Sequence, residues 1–327
     1  MHMSTADRKA RGIRAAQGLA GPSRREFLKR AAVLPAALMA ARELADAAVA
    51  KETDKLPQVP FGKHSMSRLV CGGNPFNGGS HQSNFLSREM RSYYTREQVL
   101  KTLSRCQAAG INFWQSSGGG AGAAGLEVYR QFVAEGGQMH YLSLGKAAED
   151  IAALARGGCA GIAHHGEVTD NLFKAGKLDQ VHEFIKRVRD AGMMAGVSTH
   201  MPAVVDAVES KGWEVDFYMT CVYERNRSAE ELQKLLGHVP LPVREVYLED
   251  DPPRMFKMIR QARRTCLAFK ILAAGRLCES QQRVEQAFRE TFAAIKPTDA
   301  VIVGIYDRYT NQCAENAGFT RRFGVAS

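Results

Sequence analysis

Polar side chains follow eight short apolar segments of this chain, at the point where each segment ends. They are Asn74, Gln115, Lys146, the pair His164 and His165, His200, Cys221, Lys270 and Tyr306. If the segments are parallel strands of one sheet, their carboxyl ends meet at one edge. Histidine, lysine and thiol groups together are suited to acid–base, nucleophilic or metal chemistry. We therefore expect one polar site at that edge.

The secondary-structure elements that must position these residues can be predicted from two hydrophobic patterns that alternate along the sequence. Runs rich in β-branched residues alternate with segments of helical period, the pattern of βαβ units. The predicted strands are 68–71, 111–115, 140–144, 161–164, 195–198, 217–221, 267–272 and 300–304. The predicted helices are 95–109, 126–135, 148–156, 177–191, 202–211, one within 229–264, 281–295 and 311–323.

Eight strand–helix units without a long linker predict an α/β fold of one domain, an eight-stranded parallel (β/α)₈ TIM barrel. An open, doubly wound sheet is the alternative. Residues 51–327 form the predicted domain. Reactive groups of such barrels gather at the C-terminal ends of the strands.

The histidine pair suggests a second kind of site. Successive side chains of a strand point to opposite faces, so only one of His164 and His165 faces the barrel mouth, and we expect His165 to do so. The other ligand types near it are Glu167, His200 and Cys221, which three consecutive strands contribute. These four residues could bind a divalent transition metal. No H-E-x-x-H spacing accompanies them.

Two lysines are candidate site cations. Lys146 follows the third predicted strand, and Lys270 interrupts the apolar run Ala268-Phe269-Lys270-Ile271-Leu272. A lysine can hold a carboxylate, phosphate or oxyanion. The glycines between residues 118 and 122 lack the G-x-G-x-x-G pattern of a phosphate cradle, so we interpret them as a loop.

Several segments together resemble the aldo-keto reductase superfamily, in order and spacing, from Met66 to Asn316. Residues 67–76 (SRLVCGGNPF) resemble its first strand, 109–115 (AGINFWQ) its second, and 161–165 (GIAHH) its histidine-bearing fourth strand. Residues 191–200 (AGMMAGVSTH) and 301–304 (VIVG) with Gln312 and Asn316 are similar to later segments.

The resemblance implies carbonyl reduction with NADPH by a tetrad of Asp, Tyr, Lys and His. By position, Gln115 replaces the aspartate, residues 116–122 contain no tyrosine, Lys146 matches the lysine, and His164 or His165 matches the histidine. The usual proton donor is therefore missing. The tyrosines that another loop could supply are Tyr93, Tyr94, Tyr223 and Tyr306.

The resemblance also implies an NADP site, in part near the ends of the last two strands. Its expected residues are Asn74, Ser198, Lys270, Arg276, Arg308, Gln312 and Asn316. Arg308 is the candidate for a 2′-phosphate.

Residues 1–50 read as a twin-arginine signal peptide. Ser23-Arg24-Arg25-Glu26-Phe27-Leu28-Lys29 is followed by an apolar run at 31–41, too short to span a bilayer, and by Ala48-Val49-Ala50 as a cleavage site. We therefore expect the twin-arginine export machinery as a partner, a periplasmic location and no membrane span.

Charge and cysteine content exclude other classes. Half of the net charge of +10 lies in residues 1–50, and no nucleic-acid-binding signature accompanies the remainder. Seven widely spaced cysteines without a C-x-x-C pair do not form a disulfide framework.

Three functions remain open at this point. The first is an exported NADP(H)-dependent oxidoreductase acting on a small carbonyl or alcohol, sugar-derived compounds included, with Lys146 and His165 polarising the substrate oxygen. The second is a metal-dependent or acid/base lyase, isomerase or hydrolase on the same barrel. The third is a non-catalytic periplasmic binding protein.

Overall fold

The computed structural model describes residues 55–117, 123–241 and 245–325. The predicted signal peptide, the glycine-containing loop at 118–122 and the mature N-terminus at Lys51 lie outside these residues. Within them, no helix is both long enough and apolar enough to cross a bilayer.

Eight parallel strands form a closed barrel, which confirms the predicted fold class. Strands that are consecutive in sequence pair with each other around the barrel, and the last strand pairs with the first. The barrel strands are β3 (Leu69–Gly72), β4 (Phe113–Ser117), β5 (His140–Gly145), β6 (Gly161–His164), β7 (Met194–Thr199), β8 (Phe217–Cys221), β9 (Thr265–Phe269) and β10 (Ala300–Gly304).

The described helices surround the barrel and connect its strands. They are α1 (Asn84–Tyr93), α2 (Arg96–Ala108), α3 (Ala123–Ala134), α4 (Glu149–Arg156), α5 (Gly166–Lys174), α6 (Asp179–Asp190), α7 (Pro202–Ser210), α8 (Ala229–Leu236), α9 (Asp251–Gln261), α10 (Gln281–Ala294) and α11 (Gln312–Phe323). The segment 229–264, predicted to hold one helix, contains two. Helices α1 and α5 were not predicted, because each lies in a short polar stretch before a longer helix.

The barrel core follows from the alternation along the strands. One apolar cluster fills the barrel interior and includes Val70, Phe113, Leu142, Ala163, Phe217, Met219, Leu267 and Ile302. The alternate residues, such as Leu69, Trp114, Tyr141 and Ile162, pack in a second cluster with the helices. Large apolar residues on both faces of each strand are typical of a parallel sheet that is covered on both sides.

An antiparallel hairpin precedes the barrel and closes its N-terminal end. Strand β1 (Gln58–Phe61) pairs with β2 (His64–Ser67). The Phe61 ring lies 5.6 Å from that of Phe113 and 5.1 Å from that of Phe217, both in edge-to-face contact. Because apolar side chains fill this end, polar chemistry is left to the opposite, C-terminal end.

Cysteines contribute to the core rather than to cross-links. All seven are free, and all except Cys278 are buried. This agrees with the absence of a disulfide framework in the sequence.

Candidate functional site

A buried histidine–aspartate pair lies at the end of β7. His200 follows the last strand residue, and its Nδ1 lies 2.7 Å from Oδ2 of Asp170 on α5. The side chains are 4% and 0% exposed. Asp170 also accepts hydrogen bonds from the Thr199 hydroxyl at 2.5 Å, from the His200 backbone N–H and from Nδ2 of Asn226 at 3.3 Å.

This arrangement fixes the tautomer of His200. A carboxylate that only accepts hydrogen bonds requires the proton on Nδ1, so the lone pair of neutral His200 is on Nε2. Burial lowers the pKa of His200, although Asp170 opposes this shift. His200 is therefore neutral near pH 7, with Nε2 able to accept a proton.

His164 and His165 lie on different sides of β6. His164 makes a 2.7 Å hydrogen bond to the Thr169 hydroxyl, and its ring contacts that of Phe184, 5.0 Å away on α6. His165 immediately precedes α5, and its buried Nδ1 has no hydrogen-bond partner within the described residues. Burial lowers the pKa of each to about 4, with a contribution from nearby Lys146 for His165. His164 thus packs behind the strand, whereas His165 keeps an unsatisfied polar atom.

Lys270 is the first residue after β9. The strand ends at Phe269, three residues before the predicted end at 272, because Lys270 adopts a left-handed conformation with φ +62°. Its buried Nζ has no hydrogen-bond partner in the described part of the chain. Burial lowers the pKa of Lys270 to about 8, and the nearby charges include those of Arg225 and Glu245.

A network of charged residues lies beside this lysine. Arg225 Nη1 lies 2.5 Å from Glu245 Oε1, and the same oxygen lies 2.7 Å from His81 Nδ1. Asn74 Nδ2 lies 3.0 Å from His81 Nε2, so the amide donates there and His81 donates Nδ1–H to Glu245. Burial alone would raise the pKa of Glu245, but His81 and Arg225 outweigh it and hold that pKa at about 2.

Backbone strain is concentrated around the same network of charged residues. The non-glycine residues with positive φ in the described segments are His81, Glu245, Lys270, Ala273 and Ala274. Their loops are tied together, since Gln82 donates to the Ala274 carbonyl and Arg276 to the His81 carbonyl. Such residues cost free energy, of order 1–3 kcal/mol each, and cluster at functional sites.

Few contacts in the described structure relate the residues that match the reductase tetrad. Gln115 donates Nε2–H to the adjacent Ser116 carbonyl, and Lys146 is exposed. Most of the loop that would carry the tyrosine lies outside the described residues. Proximity is seen only between Lys146 and His165, whose pKa the lysine charge affects.

Two of the four substitute tyrosines have hydroxyls that are engaged elsewhere, whereas the buried Tyr306 hydroxyl has no hydrogen-bond partner among the described residues. Tyr93 and Tyr94 both donate to Asp307 Oδ1, at 3.3 and 3.0 Å. Burial raises the pKa of Tyr223 to about 12. The Tyr306 ring packs 5.8 Å from that of Tyr93 and 5.9 Å from that of Tyr94. The hydroxyls of Tyr93 and Tyr94 are thus engaged in holding a buried aspartate.

The described structure does not bring the four residues of the alternative metal hypothesis together as one ligand set. They include no group of three or more His, Cys, Asp or Glu side chains placed to bind a metal. Asp170 occupies Nδ1 of His200, and burial raises the pKa of the Cys221 thiol to about 11, which keeps it protonated. Glu167 is 55% exposed and faces Arg225 at 3.9 Å. His165, Glu167, His200 and Cys221 therefore do not form one ligand set.

The predicted NADP residues fit the cofactor incompletely. The Arg276 guanidinium lies 4.0 Å from the centre of the Tyr247 ring, and Arg308 pairs with Glu89 at 3.2 Å. Both arginines of the predicted NADP set are thus engaged within the protein. Two other members of the set already make hydrogen bonds within the protein, since Gln312 Oε1 accepts from the Tyr306 N–H and Asn74 contacts His81. Ser198 and Asn316 are buried. NADP binding stays a prediction, and no catalytic step is assigned to it.

Sequence reasoning missed four residues of this site: Asp170, Arg225, Glu245 and His81. Asp170 lies on a helix that was not predicted, and its partner is 30 positions away. Glu245 and His81 are 164 positions apart. No local pattern relates such residues, because only the closed barrel brings their loops together.

The fold and the site define a (β/α)₈ barrel with a polar, buried centre at its C-terminal end. No protein-family model matches the chain, and no curated protein matches it. Among solved structures it is similar to glycerol dehydrogenase AKR11B4 from Gluconobacter oxydans, at 11% identity and TM-score 0.51, over 83% of this chain and 91% of that one.

Two further solved structures have lower scores. Aldo-keto reductase AKR11C1 from Bacillus halodurans has 11% identity and TM-score 0.49, over 83% and 97% of the two chains. A truncated 3-deoxy-D-arabino-heptulosonate 7-phosphate synthase from Thermotoga maritima has 10% identity and TM-score 0.49, over 83% and 92% of the two chains. The structural neighbours thus include aldo-keto reductases, and at this identity the likeness concerns the fold.

Proposed function

We propose that the protein is an enzyme that acts on a small carbonyl or alcohol substrate at the barrel mouth, with His200 as the proton-transfer group. The observation that carries this proposal is the buried His200–Asp170 pair, which leaves Nε2 of His200 without a proton near pH 7. A histidine held in this way by a carboxylate acts as a general base and, once protonated, as a general acid.

The surrounding charges suit oxygen chemistry. Lys270 and Arg225 both affect the pKa of His200, so their positive charges lie close to it. Preorganised cations stabilise the negative charge that develops on a carbonyl or alcohol oxygen. His200 would then exchange a proton with the substrate while the cations hold the oxygen.

Two forms of this chemistry are compatible with the proposal. The redox form is an oxidoreductase of aldo-keto reductase type with NADP(H), supported by the resembling sequence segments and by the barrel shared with a glycerol dehydrogenase. His200 would replace the missing tyrosine as proton donor. The incomplete NADP fit counts against this form. The non-redox form is an acid/base lyase or isomerase, which the unpartnered Lys270 favours.

The first experiment measures proton transfer without a nucleotide. Purified protein is incubated in deuterated buffer with dihydroxyacetone, glyceraldehyde or pyruvate, and exchange at the carbon beside the carbonyl is followed by NMR. His200→Asn should slow exchange by about 10²- to 10⁴-fold, the usual contribution of a general base. The matched control is His238→Asn, because His238 is exposed.

The redox form is tested in parallel, by nicotinamide absorbance with the same compounds, with glycerol as the alcohol, and by NADP(H) binding. Turnover of the nucleotide that requires His200 supports the oxidoreductase. If neither exchange nor nucleotide turnover occurs, or if both survive His200→Asn, the proposed enzyme is wrong. Tight binding of a probe without turnover would instead favour the non-catalytic binding protein.

We also propose that the chain is exported by the twin-arginine route to the periplasm. The support is the Arg24–Arg25 pair with the apolar run and small residues that follow it. Replacing both arginines by lysine should retain the protein in the cytoplasm, as cell fractionation would show. Unchanged export of this variant would contradict the proposal.

A further inference from the structure

The amine of Lys270 is the feature that the proposed function leaves least explained. Among the lysines of the described residues, it is the one with a buried Nζ that lacks a hydrogen-bond partner. The Lys270 carbonyl accepts from the Ala273 N–H, which fixes the turn that begins at φ +62°. A strained turn thus holds an unsatisfied amine at the end of β9.

Among the described residues, no anion next to Lys270 is free to pair with it. Glu245 already binds Arg225, His81 and the Tyr247 hydroxyl. Burial keeps the Cys221 thiol protonated, with its pKa raised to about 11. The remaining charges that act on the amine, Arg225 and Arg276, are positive.

An ammonium group in such a place is disfavoured. Loss of water destabilises the charged form, and neighbouring cations add to this effect. The pKa of Lys270 is accordingly lowered to about 8, so the neutral amine is readily populated just above neutral pH. A neutral, desolvated lysine is a nucleophile for carbonyl carbon.

We propose that Lys270 is a catalytic residue that condenses with the carbonyl group of a small hydroxyaldehyde, hydroxyketone or keto acid, forming a Schiff base with His200 as proton carrier. The inference deepens the proposed function, on whose carbonyl substrate it rests, and it selects the non-redox form.

The condensation balances without a co-reactant. The lone pair of neutral Nζ forms the C–N bond, while the π electrons of C=O move to oxygen. The new ammonium loses a proton to Nε2 of neutral His200, which passes it to the alkoxide oxygen and gives a neutral carbinolamine. A proton from solvent, taken up at Nε2 of His200, then protonates the hydroxyl, water leaves, and the nitrogen lone pair forms the C=N bond of the iminium.

The iminium explains why proton transfer is useful here. Its positive nitrogen accepts electrons from an adjacent C–H or C–C bond, so His200 can remove a proton from carbon or from a hydroxyl group. This is the electron flow of an isomerase or a lyase. Arg225, whose buried Nε also lacks a hydrogen-bond partner within the described residues, is placed to bind a polar oxygen of the substrate.

The test is reductive trapping on the full-length protein. Borohydride is added with dihydroxyacetone, glyceraldehyde or pyruvate, and the intact mass and the modified peptide are determined. We expect one adduct on Lys270, with the mass of the probe less one oxygen atom, formed faster as the pH rises through about 8.

Lys270→Met and Lys270→Arg should abolish this adduct, and the arginine variant keeps the positive charge if the methionine variant folds poorly. Lys234→Met, which removes an exposed lysine, is the matched control. No adduct on Lys270 with any probe, or labelling that survives both variants, would overturn the inference.

Deuterium exchange separates the two proposals. If exchange depends on His200 but Lys270 is never trapped, the Schiff base is wrong and the acid–base function stands. If Lys270 is trapped while His200→Asn alters neither trapping nor exchange, the amine chemistry stands and the role of His200 falls.

Discussion

Replacing Asp170 with asparagine tests whether the His200 tautomer matters. The aspartate accepts from the Thr199 hydroxyl, from the backbone and Nδ1 of His200, and from Asn226, and its side chain is fully buried. An asparagine has one acceptor oxygen and an NH₂ group that can only donate. If NH₂ faces His200, Nδ1 must become the acceptor and the proton moves to Nε2.

The expected effect of Asp170→Asn has two parts, one on activity and one on stability. Loss of a base at Nε2 should lower exchange or turnover by about 10²- to 10⁴-fold. Loss of a hydrogen bond to a charged acceptor should lower the free energy of unfolding by about 1.5–3 kcal/mol. Since these effects have different causes, a variant that is merely less stable must be distinguished from one with the wrong tautomer.

The chain offers a matched control in Asp307→Asn. Asp307 is also fully buried in its side chain and accepts from a threonine hydroxyl, that of Thr102, and from a cation, Arg105 at 2.9 Å. Its partners do not include a histidine of the site. We expect a similar loss of stability and normal activity per folded molecule.

Activity, denaturant unfolding and ¹⁵N NMR of the His200 ring would be measured for both variants. The reasoning is refuted if Asp170→Asn retains activity within a few-fold, if its ring nitrogens show the original tautomer, or if Asp307→Asn loses activity to the same extent.

Two further predictions concern stability. The pKa of buried His164 is about 4 in the folded protein and near 6.5 in the unfolded chain. The contribution of His164 to the free energy of unfolding is therefore fully present above pH 6.5 and falls by roughly 3 kcal/mol as the pH drops to 4. Urea unfolding at several pH values should show this fall, and His164→Asn should remove its share of the pH dependence. Phe61→Ala removes the ring between Phe113 and Phe217 and should lower the free energy of unfolding by about 3–5 kcal/mol. Activity at the C-terminal end of the barrel should stay unchanged. A loss below 1 kcal/mol would show that the hairpin does not seal the barrel.

The predictable parts of the fold were those with a repeating local cause. The strands at 161–164, 217–221 and 300–304 have the predicted bounds. Thr95 caps α2 through the Gln98 N–H, as a local helix-start signal should. Lys270 shows the limit: the apolar run continues past it, but the backbone turns at Phe269 because the lysine occupies a left-handed conformation.

The sequence by itself therefore determined the barrel and which strand ends carry polar groups, because alternation and helical period are properties of neighbouring residues. It named His200 and Lys270 as members of the site. Only the tertiary structure decided their chemistry. The tautomer of His200 depends on Asp170. The state of the Lys270 amine depends on burial and on the lack of a free anion among the described loops around it, which are distant in sequence. Those are effects of desolvation and of contacts between remote segments, which no local pattern encodes.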